Sequence, residues 1–158
     1  MGGLSMGYMK GQGATEYLVL LAVVLIIALV SIALLGFFPG LASDARITQS
    51  NSYWRGEARP FAILEHSVTS GGVMTLIMQN NDATGSIGMT NISIGAGSNG
   101  TSTITFAPGE SRTVTVSGVA SSPASGSVYD LQVNITYTTP NGIAGKQYGA
   151  KNVVGKVI

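Results

Sequence analysis

Two periodicities divide the chain. From residue 17 to residue 43 there is no charged side chain, and within residues 18–35 Ser31 is the only polar one. Eighteen such residues at about 1.5 Å rise each cover most of a hydrocarbon layer of about 30 Å. A single apolar segment in lipid satisfies its own backbone only as a helix. Gly36, Pro39 and Gly40 follow, and because proline has no amide hydrogen a kink or a melted turn is expected there. Beyond it, Leu41 with Ala45 and Ile47 with Trp54 are spaced four and seven apart, as on one helical face, and Trp54 is expected to pack against the domain that follows. Gly56 and Pro60 end this extension.

From Phe61 the period becomes two. Met74, Leu76 and Met78 alternate with Thr75, Ile77 and Gln79. Ile92 and Ile94, Ile104 and Phe106, and Val114 and Val116 alternate with polar neighbours. The longest case is Tyr129, Leu131, Val133, Ile135 and Tyr137 against Asp130, Gln132, Asn134, Thr136 and Thr138. This is the pattern of strands with one buried face. Ser70-Gly71-Gly72, Pro108-Gly109 and Pro140-Asn141-Gly142 supply tight connections, and the Ser-rich stretch 118–126 reads as a mobile loop. Residues 143–158 hold one or two strands, the last at an edge guarded by Lys146, Lys151 and Lys156. The expectation is an α+β chain: a long N-terminal apolar helix kinked near Pro39, then a small antiparallel β-sandwich of about seven strands. Its segments are 1–11, 12–55 for the helix and its extension, 56–60 for the junction, and 61–158 for the β domain.

Composition narrows the function. Charged residues make up 9% of the chain, against about 25% in an ordinary soluble domain, so Ser, Thr, Asn and Gly must cover the β domain. The net charge of +1 gives no electrostatic reason to bind nucleic acid. Without cysteine, neither a disulfide framework nor a thiolate metal site exists. One histidine and no cysteine leave little material for nucleophilic catalysis, and Asp44, Glu57, Asp82, Glu110 and Asp130 lack ligand spacing; neither an enzyme nor a cofactor is expected. His66 follows Glu65, so on a strand the two point to opposite faces and cannot share a metal; no role is assigned to it.

The unusual feature is a small residue placed before the apolar run. A secretory signal is cut after its apolar stretch, whereas here Lys10-Gly11 precedes it. Cutting between Gly11 and Gln12 would leave the helix on the mature protein, with Glu16 as its fifth residue; starts at Met1, Met6 or Met9 would all retain Lys10-Gly11. Removal of Lys10 would bring the side-chain charge from +1 to zero. A carboxylate heading an apolar helix favours the helix dipole if it stays at the interface, and needs a cationic partner if it is buried. A new α-amine at Gln12 in a neighbouring copy is such a partner.

The run Lys10-Gly11-Gln12-Gly13-Ala14-Thr15-Glu16-Tyr17 resembles the class III signal of archaeal type IV pilins, with Ala14 where that family usually has Ser. The resemblance is close over about a quarter of the chain and architectural over the rest. It implies a membrane-inserted prepilin, cleaved by a prepilin peptidase, whose copies polymerise through Glu16, Tyr17 and the apolar helix into an extracellular homo-oligomeric pilus that adheres to a surface or cell receptor. It also implies glycans. Three sequons are present, at Asn91, Asn99 and Asn134; the first and third lie on the polar phase of strands and the second in a Gly-rich loop, so all three are expected to be exposed. The alternatives are a monomeric membrane-anchored binding domain, which gives no reason for the register of Gly11, Gln12 and Glu16, and a minor pilin or pseudopilin.

Overall fold

The computed structural model describes residues 9–100 and 102–158; the side chains of 9–12 and 37–39 are outside its description, as are leader residues 1–8 and Thr101 of the second sequon. The chain forms two compact units, Met1–Ala42 and Ser43–Ile158.

In the first unit the apolar run is helical as expected. Helix α1 spans Met9–Ser52, and its last turns belong to the second unit. The melted turn expected at Gly36, Pro39 and Gly40 does not interrupt it. Proline removes one donor from the ladder, and the bonds on either side of that gap suffice to continue the helix. Ser31, the polar residue of the apolar run, donates its hydroxyl to the Ile27 carbonyl (2.8 Å), so the run carries no hydroxyl in search of a partner.

Among the described residues, the second unit contains ten strands: β1 (Phe61–Val68), β2 (Val73–Asn80), β3 (Ile87–Ile94), β4 (Gly97–Asn99), β5 (Ile104–Phe106), β6 (Ser111–Ser117), β7 (Val128–Leu131), β8 (Val133–Thr138), β9 (Ala144–Tyr148) and β10 (Val153–Lys156). All ladders are antiparallel. One sheet has the order β1-β2-β6, a second pairs β10 with β7, and the third has the order β4-β3-β8-β9, with β5 also on β3. A parallel bridge between Val68 and Val157 joins the first two. The period-two residues meet in one core, which includes Met74, Leu76, Met78, Ile92, Ile94, Phe106, Val114, Val116, Val133 and Ile135.

The β domain has more strands than the expected seven or so, because short pieces such as β4, β5 and β7 pair separately, and it differs from the sequence reading in three further places. The long alternating run 129–138 is two strands in two sheets: β7 pairs with β10, and β8 with β3 and β9, the chain crossing between layers at Gln132. Strand-to-strand alternation survives the crossing because both strands face the same core, so periodicity alone does not reveal the switch. In β3, a bulge between Met89 and Asn91 moves the buried phase from Ile87 and Met89 to Ile92 and Ile94. The stretch 118–126 is tethered at its start: Val119 is buried, its amide donates to Gly72 (3.0 Å) and its carbonyl accepts from Ala96 (3.4 Å).

The turns form where Gly and Pro predicted them. Gly72 closes the β1–β2 turn with its amide on Thr69 (2.9 Å), Glu110 closes the Pro108-Gly109 turn on Ala107 (3.0 Å), and Gly142 closes the third on Thr139 (2.9 Å). Gly72 is required twice over. Its φ is +72°, and a Cβ there would lie 2.1 Å from the Ala120 carbonyl oxygen.

Candidate functional site

Three groups of residues bear on function. The first is the apolar part of α1. Leu18, Val19 and Leu20 point in directions about 100° apart around the axis, yet are 61%, 58% and 65% exposed. Tyr17 and Leu35, one turn or less from the ends of the run, are as open (67% and 69%). No described residue covers any side of this helix. It is long and apolar enough to cross a membrane, by length and composition. Glu16 and Tyr17 lie exposed at its head. Lys10, Gly11 and Gln12 fall within α1, with their side chains outside the described set.

The second group fixes the last turns of α1 within the β unit. Ser43, Ile47, Ser50, Asn51 and Trp54 carry the covered face, at helical spacing. Ile47 and Trp54 belong to it as expected. Leu41 and Ala45 do not: they are exposed, because Ala45 lies about 200° around the axis from Ile47. Ser50 is buried, donates to the Asn152 carbonyl (2.8 Å) and accepts from the Val154 amide (3.1 Å), so one hydroxyl ties the helix to the entry of β10. Trp54 is buried against Gly149, where a Cβ would stand 2.5 Å from the indole ring. Around the rim, Arg46 pairs with Asp130, and Lys156 with Asp44 (3.3 Å). After Ser52 the chain widens into a single π-turn over Tyr53–Glu57, with the Ala58 amide on the Tyr53 carbonyl (2.9 Å), and reaches β1 through a cis Arg59–Pro60 bond.

His66 sits in this junction. Its Nε2 is 3.0 Å from Asn51 Oδ1 and its Nδ1 is 2.6 Å from the Tyr129 hydroxyl. A carbonyl oxygen only accepts, so Nε2 carries the proton and Nδ1 accepts from tyrosine. The imidazole therefore links α1, β1 and β7 while neutral. Burial, and secondarily the Arg55 guanidinium, push its pKa down to about 4; burial pushes Tyr129 up to about 12. A solitary histidine gave no sign of this in the sequence, because its partners lie 15 residues before it and 63 after it.

Two buried amides were equally silent. Asn80 donates to the Gly85 and Phe106 carbonyls (both 3.1 Å) and accepts from the Asp82 amide (2.9 Å), pinning the loop after β2. Gln147, on β9, donates to the Phe61 carbonyl (2.8 Å) and accepts from the Phe61 amide (2.9 Å), as a neighbouring strand would.

The third group is the sequons. None of the three asparagines is fully exposed. Asn91 and Asn134 lie on the polar phase, but β3 and β8 each have paired strands on both sides, and the flanking side chains half-cover them. Asn99 ends strand β4 rather than standing in a free loop, and its Nδ2 donates to the Thr115 carbonyl on β6 (2.7 Å). Among the described residues no group of three or more His, Asp or Glu is arranged to hold a metal ion.

No protein family matches the chain, and no characterised protein matches it.

Proposed function

We propose that this chain is the structural subunit of an extracellular filament of the type IV pilus kind. The observation that carries the proposal is an apolar helix uncovered on every side, directly behind Lys10-Gly11-Gln12 and headed by Glu16. An apolar surface of this extent has to be kept from water. Lipid covers it in the precursor, and the helices of neighbouring copies cover it in the filament, with the β units outside. A prepilin peptidase cuts between Gly11 and Gln12, and the released α-amine of one copy pairs with Glu16 of the next. Apolar side chains gain little by exchanging lipid for other helices, so packing and this ion pair supply the specificity. Adhesion to a surface or receptor is the role that the pilin resemblance suggests for the assembled fibre.

N-terminal sequencing of protein sheared from cell surfaces tests this. A filament subunit begins at Gln12. A soluble product starting beyond Phe38, with the helix removed, would overturn the proposal.

A further inference from the structure

The first and third sequons, 43 residues apart in sequence, are one object in the fold. In the β3–β8 ladder Asn91 faces Thr136, Ile92 faces Ile135, and Ser93 faces Asn134. Each acceptor asparagine is thus directly opposite the hydroxyl residue that completes the other's sequon. Residues at alternate positions of antiparallel partners share a face of the sheet, and diagonal neighbours stand about 7–8 Å apart. On the far side, Asn134 is paired with Tyr148 of β9, an exposed residue (63%). Asn134 Oδ1 is buried and has no hydrogen-bond partner. Asn91 has room because residue 100 is glycine; a Cβ there would come within 2.8 Å of Asn91 Oδ1. Asn99 differs, its nitrogen being engaged on Thr115.

We propose that Asn91 and Asn134 form a single N-glycosylation locus that takes one glycan per chain, at either asparagine but never at both, and that Asn99 is a structural clamp. The inference rests on the proposed export of the β unit, where a glycosyl transferase can reach it. In the transfer, the asparagine Nδ2 attacks the anomeric carbon of a sugar activated as a lipid-linked phosphate ester. The carbon–nitrogen bond forms, the carbon–oxygen bond to phosphate breaks, the phosphate leaves with the electron pair, and the amide proton passes to a base of the transferase. Once Asn91 carries a sugar, that sugar overlies Thr136 and hides the second sequon; a sugar on Asn134 overlies Ser93 and hides the first. If both were modified before folding, two glycans rooted on adjacent central strands would crowd the same face and oppose β3–β8 pairing.

The test is intact-mass and glycopeptide analysis of the protein recovered from the surface of its native cells, as wild type and as Asn91→Gln, Asn134→Gln and Ser93→Ala. The expected result is one glycan per wild-type chain, divided between the two asparagines, with Asn99 bare. Asn91→Gln and Ser93→Ala should both move occupancy wholly to Asn134, and Asn134→Gln wholly to Asn91. Chains bearing two glycans, bare wild-type chains, or failure of occupancy to transfer would each overturn the locus. Loss of the leader is read from the same masses, so a failure of the filament proposal is recognised separately.

Discussion

His66 is where a single residue has the clearest consequence for stability. Its pKa of about 4 in the folded protein lies below the ordinary 6.5. As pH falls, the unfolded chain takes up the proton first, so the full contribution is present above 6.5 and is lost as pH drops through 6.5 toward 4. The fall from 6.5 to about 4, at about 1.4 kcal/mol per pH unit, sets an upper bound of about 3–4 kcal/mol. The protonated ring would also have to give up accepting from Tyr129 while facing Arg55; the nearby Lys156 is partly offset by Asp44, and Glu65 points away along the strand. Urea midpoints of the 43–158 unit at pH 7 and pH 5 should differ, and His66→Gln should flatten the slope between them. An unchanged slope would show that histidine is not the titrating group. At the other end of the chain, Glu16→Ala should leave cleavage and insertion intact and reduce filaments. In the proposed fibre Glu16 is one member of a buried ion pair; removing one such member costs about 3–5 kcal/mol, and the loss would recur at every subunit. A filament count beside a blot of processed protein measures it, and normal filament numbers would remove Glu16 from assembly.

At the scale of elements, the sequence carried what is local and lost what is relational. The apolar helix, the three Gly-containing turns and the buried phases of β2, β6 and the second half of β3 were legible because periods of 3.6 and 2 are written directly into neighbouring residues. The division of 129–138 into β7 and β8 was not, since both halves bury the same phase and the switch depends on partners distant in sequence, β10 for one half and β3 and β9 for the other. The positions of Asn80 and Gln147 were hidden for a related reason: a polar residue on an inner face looks like an interruption until the carbonyls it serves are known. The same holds for the sequons, whose phase was readable but whose mutual register was not. The helix extension gives the sharpest test. Trp54→Ala should destabilise the β unit by about 3–5 kcal/mol, as expected for emptying a buried aromatic site. Ser50→Ala should cost about 1–3 kcal/mol, by orphaning the Asn152 carbonyl and the Val154 amide. Chemical denaturation of the 43–158 unit reads both, and values below about 0.5 kcal/mol would mean that these last helical turns are not part of its core.

For the whole molecule, the boundary that matters is at Ser43 and not at the start of β1. A fragment beginning at Ser43 should be soluble, cooperative and mainly β by circular dichroism, whereas one beginning at Arg55 lacks Ser50, Asn51 and Trp54 and should melt lower or aggregate. Equal melting of the two fragments would show the helical turns to be dispensable. The outer edge of β1 carries a consequence of a different kind. One end is capped by the Gln147 amide on Phe61, the middle by Arg55 Nε on the Leu64 carbonyl (2.6 Å), and the far end by the Ile158 amide on the Val68 carbonyl (2.9 Å). A strand edge left open is a template on which another chain can grow. In a fibre, identical β units would be held side by side at very high local concentration for the life of the fibre, the condition under which sheets zip together into cross-β stacks. Closing this edge with two side chains and with Ile158, just past β10, would keep neighbours in the proposed fibre as separate folded bodies, leaving its order to be set by the helices and not by fusion of these sheet edges.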